Sequence, residues 1–424
     1  MLIRILNKNK KSLIATLLKG GGILTSYAFA FVVSKKLGVD AFGRFSIWLS
    51  MLTILTGIIT LGLDKAILKA VAESFIQKDD HRIRKLMTTS TAFVLISATL
   101  VAAVIGLFSP FITRIFYGDS TDAIYIEILA VSIPALALLT VFGQAIRGLD
   151  LTNTYVLLDH GFRYLLPIPI ITLLFSFNGY ALETQAFSVG LILLVFYALF
   201  LLRGHFSIRG FLNLASHKVT MKQLLHIGLP LMVANVAILF KGWSDTLILA
   251  YLTDDVTVGY FNVSMKLAKL VSLPLVANNA AIAVTISGLL LAKEKSNLKD
   301  YYFKTVKRLS VFSAMLFIGV LVFHNQLLSQ FNSNSDENFI ALSILAASFL
   351  IGSIFGPVGL MLHISHFQKH YLRISVVMAL ASVALNFILI PFIGLIGAAL
   401  SALVVQVIWN GWSFYYTRKL FTEL

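Results

Sequence analysis

PLMVANVAILFKGWSDTLILAYL (Pro230–Leu252) is an apolar run interrupted by one cation and one anion, Lys241 and Asp245. It is long enough to cross a bilayer, whose hydrocarbon layer needs about 20 apolar residues of helix. Four residues apart, Lys241 and Asp245 share one helix face. A charge at the bilayer centre costs about 2.5–3.5 kcal/mol on insertion scales, so that face turns towards a partner or a wet cavity and away from lipid. Either the pair satisfies itself and locks two helices together, or it lines a substrate path.

The rest of the 424-residue chain has the same character. Hydrophobic residues make up 58% and charged residues 12%, with a mean hydropathy of +0.88, which excludes an ordinary soluble domain built on one buried core. Cysteine is absent, so neither a disulfide framework nor thiolate chemistry is available. The net charge of +15 reflects either cytosolic loops or a cationic interior, and position must separate the two. The opening MLIRILNKNKK and the apolar run Ser12–Val33 resemble a signal peptide only superficially. The apolar part is too long and lacks a small-x-small cleavage site, so it reads as an uncleaved first span.

Apolar runs bounded by charged or turn-forming clusters predict twelve spans, near 13–37, 43–71, 87–108, 122–146, 153–175, 180–203, 222–252, 257–291, 304–324, 338–363, 371–391 and 394–417. Lys and Arg accumulate in cytosolic loops, which places both termini on the cytosolic side. Under that assignment the outer loops hold only Lys35, Lys36, Arg44 and Arg114. Lys19, Lys65, Lys69, Arg163, Lys241, Lys266 and Lys269 fall within spans, and apart from these seven and the four outer ones all of the 34 Lys and Arg residues are cytosolic. Most of the positive charge is therefore topological, and only the seven can serve a substrate.

The halves repeat. LGVDAFGRF (Leu37–Phe45) recurs as LTDDVTVGYF (Leu252–Phe261), and GYAL (Gly179–Leu182) as GAAL (Gly397–Leu400). The expected fold is an all-α integral membrane protein of two six-helix bundles related by a pseudo-twofold axis along the membrane normal, residues 1–212 and 213–424, joined near 204–221. Charges do not repeat: Arg163 faces an apolar counterpart near Ala379.

Five stretches carry a family resemblance: KGGG (Lys19–Gly22), LGVDAFGRF, LGLDKAILK (Leu61–Lys69), FGPVGLML (Phe355–Leu362) and LNFILIPFIGLIGAALSALV (Leu385–Val404). In order and spacing they resemble the polysaccharide-transporter branch of the multidrug/oligosaccharidyl-lipid/polysaccharide (MOP) exporter superfamily, the branch of O-antigen flippases. The resemblance spans essentially the whole chain, and LIPxxGxxGAA is its most specific piece. It implies a MATE-like twelve-helix exporter of the bacterial cytoplasmic (inner) membrane. Such an exporter moves an undecaprenyl-pyrophosphate-linked oligosaccharide to the outer leaflet, alongside membrane lipids and the pathway's polymerase and chain-length proteins, with no nucleic acid.

Asp245 and Lys266 lie at similar distances from the outer turn at 253–256, so a cross-helix ion pair is expected, while Lys269 shares the face of Lys266. One aspartate cannot neutralise Lys241, Lys266 and Lys269, and the surplus, with Arg163, forms a cationic lumen for pyrophosphate. Asp159 and Arg163 form a second i,i+4 pair, read either as a self-contained salt bridge or as an arginine fork for phosphate. Lys19, Lys65 and Lys69 sit at the cytosolic mouth, where snorkelling competes with collection of anionic head groups. Three glycines, Gly20, Gly21 and Gly22, and prolines including Pro134, Pro167, Pro274 and Pro357 point to bending. His363, His366 and His370 lack nearby carboxylates and read as an interfacial loop, not a metal site. Trp243, Trp409 and Trp412 could stack on sugars or sit at interfaces.

The resulting expectation is a non-enzymatic flippase working by alternating access, with no cofactor and with Asp245 or Asp159 as carriers of any coupling to a proton or sodium gradient. One rival is a multidrug exporter of the same superfamily taking organic cations. Its lumen would be acidic, whereas cations within spans outnumber Asp64, Glu127, Asp159 and Asp245. The other rival, a membrane glycan polymerase, needs a catalytic outer loop, and no nucleophile–base constellation stands out.

Overall fold

A computed structural model describes residues 2–118, 122–177, 180–206, 214–292 and 294–423. Gly179 of the second repeat, the 212/213 boundary, and Arg209 and Lys293 among the cytosolic cations lie outside these residues. Every described element is helical. Helices are the economical answer for such a chain, because a lipid-exposed backbone must satisfy its own N–H and C=O groups.

Among the described residues nine helices are long and apolar enough to cross a membrane, or ten if the pair Asp255–Asn279 and Ile282–Leu291, bent by 47°, is one span. One of the nine, Gln368–Thr422, holds two helices. Ile393 (φ −136°, ψ 20°) and Gly394 (φ 49°, ψ −126°) leave helical geometry just after Pro391, between the expected spans 371–391 and 394–417. A proline removes a donor and a glycine accepts the positive φ, so the chain turns there at little steric cost.

Four expected spans are not single helices. The 43–71 stretch breaks between Val39–Ile59 and Leu63–Ile76, where Leu61 and Gly62 take φ of 47° and 74°. The 257–291 stretch runs from Asp255–Ala268 through a 3₁₀ segment, Lys269–Ser272, into Leu273–Leu291 with Pro274 in its first turn. The 338–363 stretch breaks at Gly356 and Pro357, between Asp336–Phe355 and Val358–Ile364. The 153–175 stretch contains a π-helical segment, Leu157–Phe162, followed by Arg163–Leu165 and Pro167–Leu174. Pro134, in contrast, stays inside the continuous Ala123–Gly148 helix.

The chain forms two compact units. One comprises Met1–Leu37 and Arg44–Leu239, the other Gly38–Gly43 and Phe240–Leu424. With lipid as the solvent, apolar side chains gain little by leaving it, so close packing holds such units together. The first unit is centred on aromatic rings: Phe29 meets Phe45 at 4.8 Å, Phe45 stacks on Trp48 at 5.8 Å, and Phe187 packs edge-on to Trp48 at 5.7 Å. In the second, Tyr302, Met361 and Leu420 belong to a buried apolar cluster, and the Tyr302 hydroxyl donates to Phe355 O at 2.5 Å, at the end of a broken helix.

The second unit also contains Gly38–Gly43 from the first copy of the first repeat, and this segment packs on the second copy. A Cβ on Gly43 would fall on Asp255 O and 2.9 Å from Gly259 N, while a Cβ on Gly259 would fall on Val39 O. Val39 precedes Gly43 by four residues, as Asp255 precedes Gly259, so the crossing is reciprocal. Only glycine permits this backbone approach, which is the small-residue contact that membrane helices favour.

Candidate functional site

In the second unit, Lys241 and Asp245 share a face of the Leu214–Leu252 helix but meet different neighbours. Lys241 Nζ donates to Gln406 Oε1 at 3.4 Å and lies 4.5 Å from the centroid of the Trp409 ring. Asp245, 5% exposed, accepts on Oδ1 from Asn386 Nδ2 at 2.5 Å and from Ser382 Oγ at 3.2 Å. Ser382 also meets Ser244 at 3.3 Å. The two charges therefore engage the two arms of the kinked Gln368–Glu423 stretch, one on each side of Gly394. The donors to Asp245 are neutral, an amide and a hydroxyl, and both reach Oδ1.

Lys266 lies in the last turn of Asp255–Ala268, and Lys269 opens the 3₁₀ segment that follows. Asp245 is within electrostatic range of Lys241 and Lys269, and Lys266 is within range of Lys269. Among the described residues no carboxylate is within ion-pair distance of Lys241 or Lys269. Lys241 and Lys269 thus lie near one aspartate inside one unit, with Lys266 beside Lys269.

In the first unit the π-helical segment changes the expected partnership of Asp159 and Arg163. A π turn closes i→i+5 hydrogen bonds and adds a residue to the turn, so two positions four apart no longer stand directly above one another. Asp159 instead accepts from the Tyr155 hydroxyl at 3.1 Å and lies 3.6 Å from His160 Nε2. Tyr155 in turn accepts from Gln144 Nε2 at 3.2 Å, with the Arg147 guanidinium over its ring. Arg163 makes no salt bridge with Asp159. Its guanidinium lies 5.6 Å from the Phe187 ring and 6.0 Å from the Tyr164 ring, and its Nε is buried without a hydrogen-bond partner. Across the segment, Thr25 Oγ1 donates to Gly161 O at 3.2 Å, bracing the irregular turn.

At the expected mouth, Lys19 and Lys69 are exposed, and Lys65 pairs with the buried Asp64 at 3.2 Å. The three loop histidines pack on aromatic rings: His363 on Tyr371, His366 on Phe367, and His370 on Phe367 and Tyr416.

A sequence model described as polysaccharide biosynthesis protein matches residues 9–287, well over half of the chain. The chain belongs to that family. The Bacillus subtilis (strain 168) protein named "Probable multidrug resistance protein YoeA" is 21% identical over 347 residues, 76% of this chain and 73% of its own. Among solved structures, an inward-facing multidrug resistance MATE family transporter of the MOP superfamily superposes with a TM-score of 0.76 at 14% identity, covering 95% of this chain and 94% of that one. The lipid II flippase MurJ in an inward closed conformation gives 0.72 at 15% identity, covering 96% and 87%. At these identities the likeness establishes the fold alone, the all-helical fold that these solved membrane transporters share.

Within this polysaccharide biosynthesis family member, a reading based on charge passes over the neutral groups that hold the charges. Ser382, Asn386 and Gln406 determine where Asp245 and Lys241 point. Their signal is a polar side chain recurring inside a span, which membrane helices retain where it has a partner. Glu183 escapes the same reading. It is 2% exposed, accepts from the Tyr125 hydroxyl at 2.8 Å, and Tyr125 accepts from Arg44 Nε at 3.2 Å. The nearby Tyr180 hydroxyl donates to Asp122.

Proposed function

We propose that the chain is a flippase for a lipid-linked oligosaccharide, carrying an undecaprenyl-pyrophosphate-linked repeat unit from the cytosolic to the outer leaflet by alternating access. The membrane is crossed twelve times, both termini are cytosolic, and the lobes are 1–212 and 213–424. The observation that carries this reading is that Lys241 and Lys269, both within electrostatic range of Asp245, have no carboxylate within ion-pair distance among the described residues. In the other unit Arg163, outside any salt bridge with Asp159, carries a rigid fork suited to phosphate oxygens. A dianionic pyrophosphate is attracted to these cations, and an organic cation is repelled by them. Lys19, Lys65 and Lys69 collect head groups at the cytosolic mouth. Pathway polymerases and chain-length proteins would act on the product.

Asp245 is better suited than Asp159 to carry a coupling ion. It is enclosed, and Asn386 Oδ1 beside it is buried without a hydrogen-bond partner, an acceptor that a proton or sodium ion could use. Asp159 is partly exposed and already engaged by Tyr155. Asp245→Asn keeps the shape of the side chain and removes its charge. The expected result is export that no longer responds to an imposed proton or sodium gradient, and an unchanged gradient response would remove Asp245 from the coupling.

The decisive assay for the cargo is leaflet accessibility of a lipid-linked glycan in proteoliposomes with and without the protein, with uptake of a fluorescent organic cation measured in parallel. Glycan exposure that requires the protein, without cation transport, is the expected result. Cation transport without glycan exposure would favour the multidrug reading.

A further inference from the structure

A cavity of about 350 Å³ lies wholly inside the second unit, within the size range of small-molecule sites. Its lining contains no lysine, arginine or carboxylate. The polar groups are the neutral side chains of Ser272, Asn279, Gln406 and Asn410, and Tyr371, Trp409 and His363 supply rings. Its chemistry therefore differs from that of the lysine cluster, yet the two are adjoining. Lys241 touches two lining residues, donating to Gln406 and lying over Trp409.

The walls hold their groups in place. Tyr371 meets Trp409 edge to face, with centroids 6.2 Å apart at 79°, forming an aromatic corner. Asn410 Nδ2 donates to Gln406 O at 2.8 Å, which leaves Asn410 Oδ1 as an acceptor. A Cβ on Gly359 would lie 2.6 Å from Trp409 Cη2, and one on Gly352 would lie 2.9 Å from Gln406 Nε2. Glycine at both positions leaves room for the tryptophan and the glutamine where they line the cavity.

An alkyl chain or apolar drug would offer no partner to the Asn279 amide, Gln406 Nε2 or Asn410 Oδ1, a cost that disfavours it. A pyranose fits better, because it presents C–H faces to an aromatic corner and hydroxyl edges to amides, each of which both donates and accepts. We infer that the cavity is a subsite for an uncharged sugar of the lipid-linked glycan, seated at the Tyr371–Trp409 corner and hydrogen-bonded by Asn279, Gln406 and Asn410. The inference rests on the reading that the adjoining lysines receive the pyrophosphate, and it assigns the neighbouring part of the same cargo.

The test uses full-length protein in detergent and two kinds of probe. Methyl glycosides of glucose, galactose, rhamnose and N-acetylglucosamine are followed by saturation-transfer NMR, and sugar-free undecaprenyl pyrophosphate is followed in a binding titration. The variants are Tyr371→Leu and Asn279→Leu, neither of which removes a contact of Lys241. At least one glycoside is expected to bind wild type at millimolar concentration, with affinity reduced about tenfold or more in the variants and undecaprenyl pyrophosphate binding kept within about twofold. Should Tyr371→Leu fail to fold, Asn279→Leu decides alone. If no glycoside binds, or if binding is unchanged in the folded variants, the sugar subsite is overturned while pyrophosphate binding stands. Glycoside binding sensitive to the variants, together with no undecaprenyl pyrophosphate binding, would support the sugar site and overturn the pyrophosphate reading.

Discussion

Replacing Lys266 and Lys269 together by alanine is expected to reduce glycan flipping by about thirtyfold to a few thousandfold at equal membrane expression. Lys269 is within electrostatic range of Asp245 and Lys266 is within range of Lys269, while the hydrogen-bond partners of Asp245, Asn386 and Ser382, are neutral. With both gone, Lys241 and Asp245 leave that region of the second unit close to electrically neutral. Truncating one partner of a desolvated charge pair costs about 2–5 kcal/mol, and about 1.4 kcal/mol corresponds to tenfold. Arginine at both positions should keep much of the activity, since charge is what matters at first order, although its planar fork changes the geometry. Initial flipping rates in proteoliposomes, normalised to inserted protein, check this. Wild-type rates in the double alanine variant would mean that the cargo does not use these cations.

A large effect of a different kind is expected at the glycine crossing. Gly43→Leu or Gly259→Leu places a side chain on the opposite backbone carbonyl, Asp255 O in one case and Val39 O in the other. Carbonyl groups of a helix cannot move aside as a flexible side chain can, so the helices must separate. Overpacking of this sort costs about 1–3 kcal/mol and sometimes more. Each variant should lower the thermal unfolding midpoint in detergent, and because both act on one contact the double variant should lose less than the sum of the two. Full additivity would show that the glycines do not act through a shared crossing. Gly411→Leu is the control: an added Cβ there would meet nothing within 4 Å, and the midpoint should stay near wild type.

How far these features can be read in advance depends on what fixes them. Membrane class, the locations of the charges and the recurrence of the LGVDAFGRF stretch follow from composition and order alone. Even the turn between 391 and 394 is marked by a proline and a glycine. The partners of Lys241 and Asp245 are another matter, because helical spacing relates residues on one helix and is silent about the neighbour each will meet. Gln406 lies 165 residues from Lys241, and Asn386 lies 141 from Asp245. Neutral polar residues carry no topological signal, so attention to charge passes over them. The break at Leu61–Gly62 falls inside a continuous apolar run, where hydropathy reports only that the chain is greasy, whereas Pro357 marks the break at Gly356–Pro357.

The irregular turn at Leu157–Phe162 has a consequence for electrostatics. In an unbroken α-helix, counting would set Asp159 one turn from Arg163, and the pair would cancel. One surplus residue in the winding withholds that cancellation: the acid is handed to a phenol, and the guanidinium keeps its full charge against aromatic rings. Backbone winding, not the choice of side chains, decides whether this arginine is spent internally or remains available to a visiting anion.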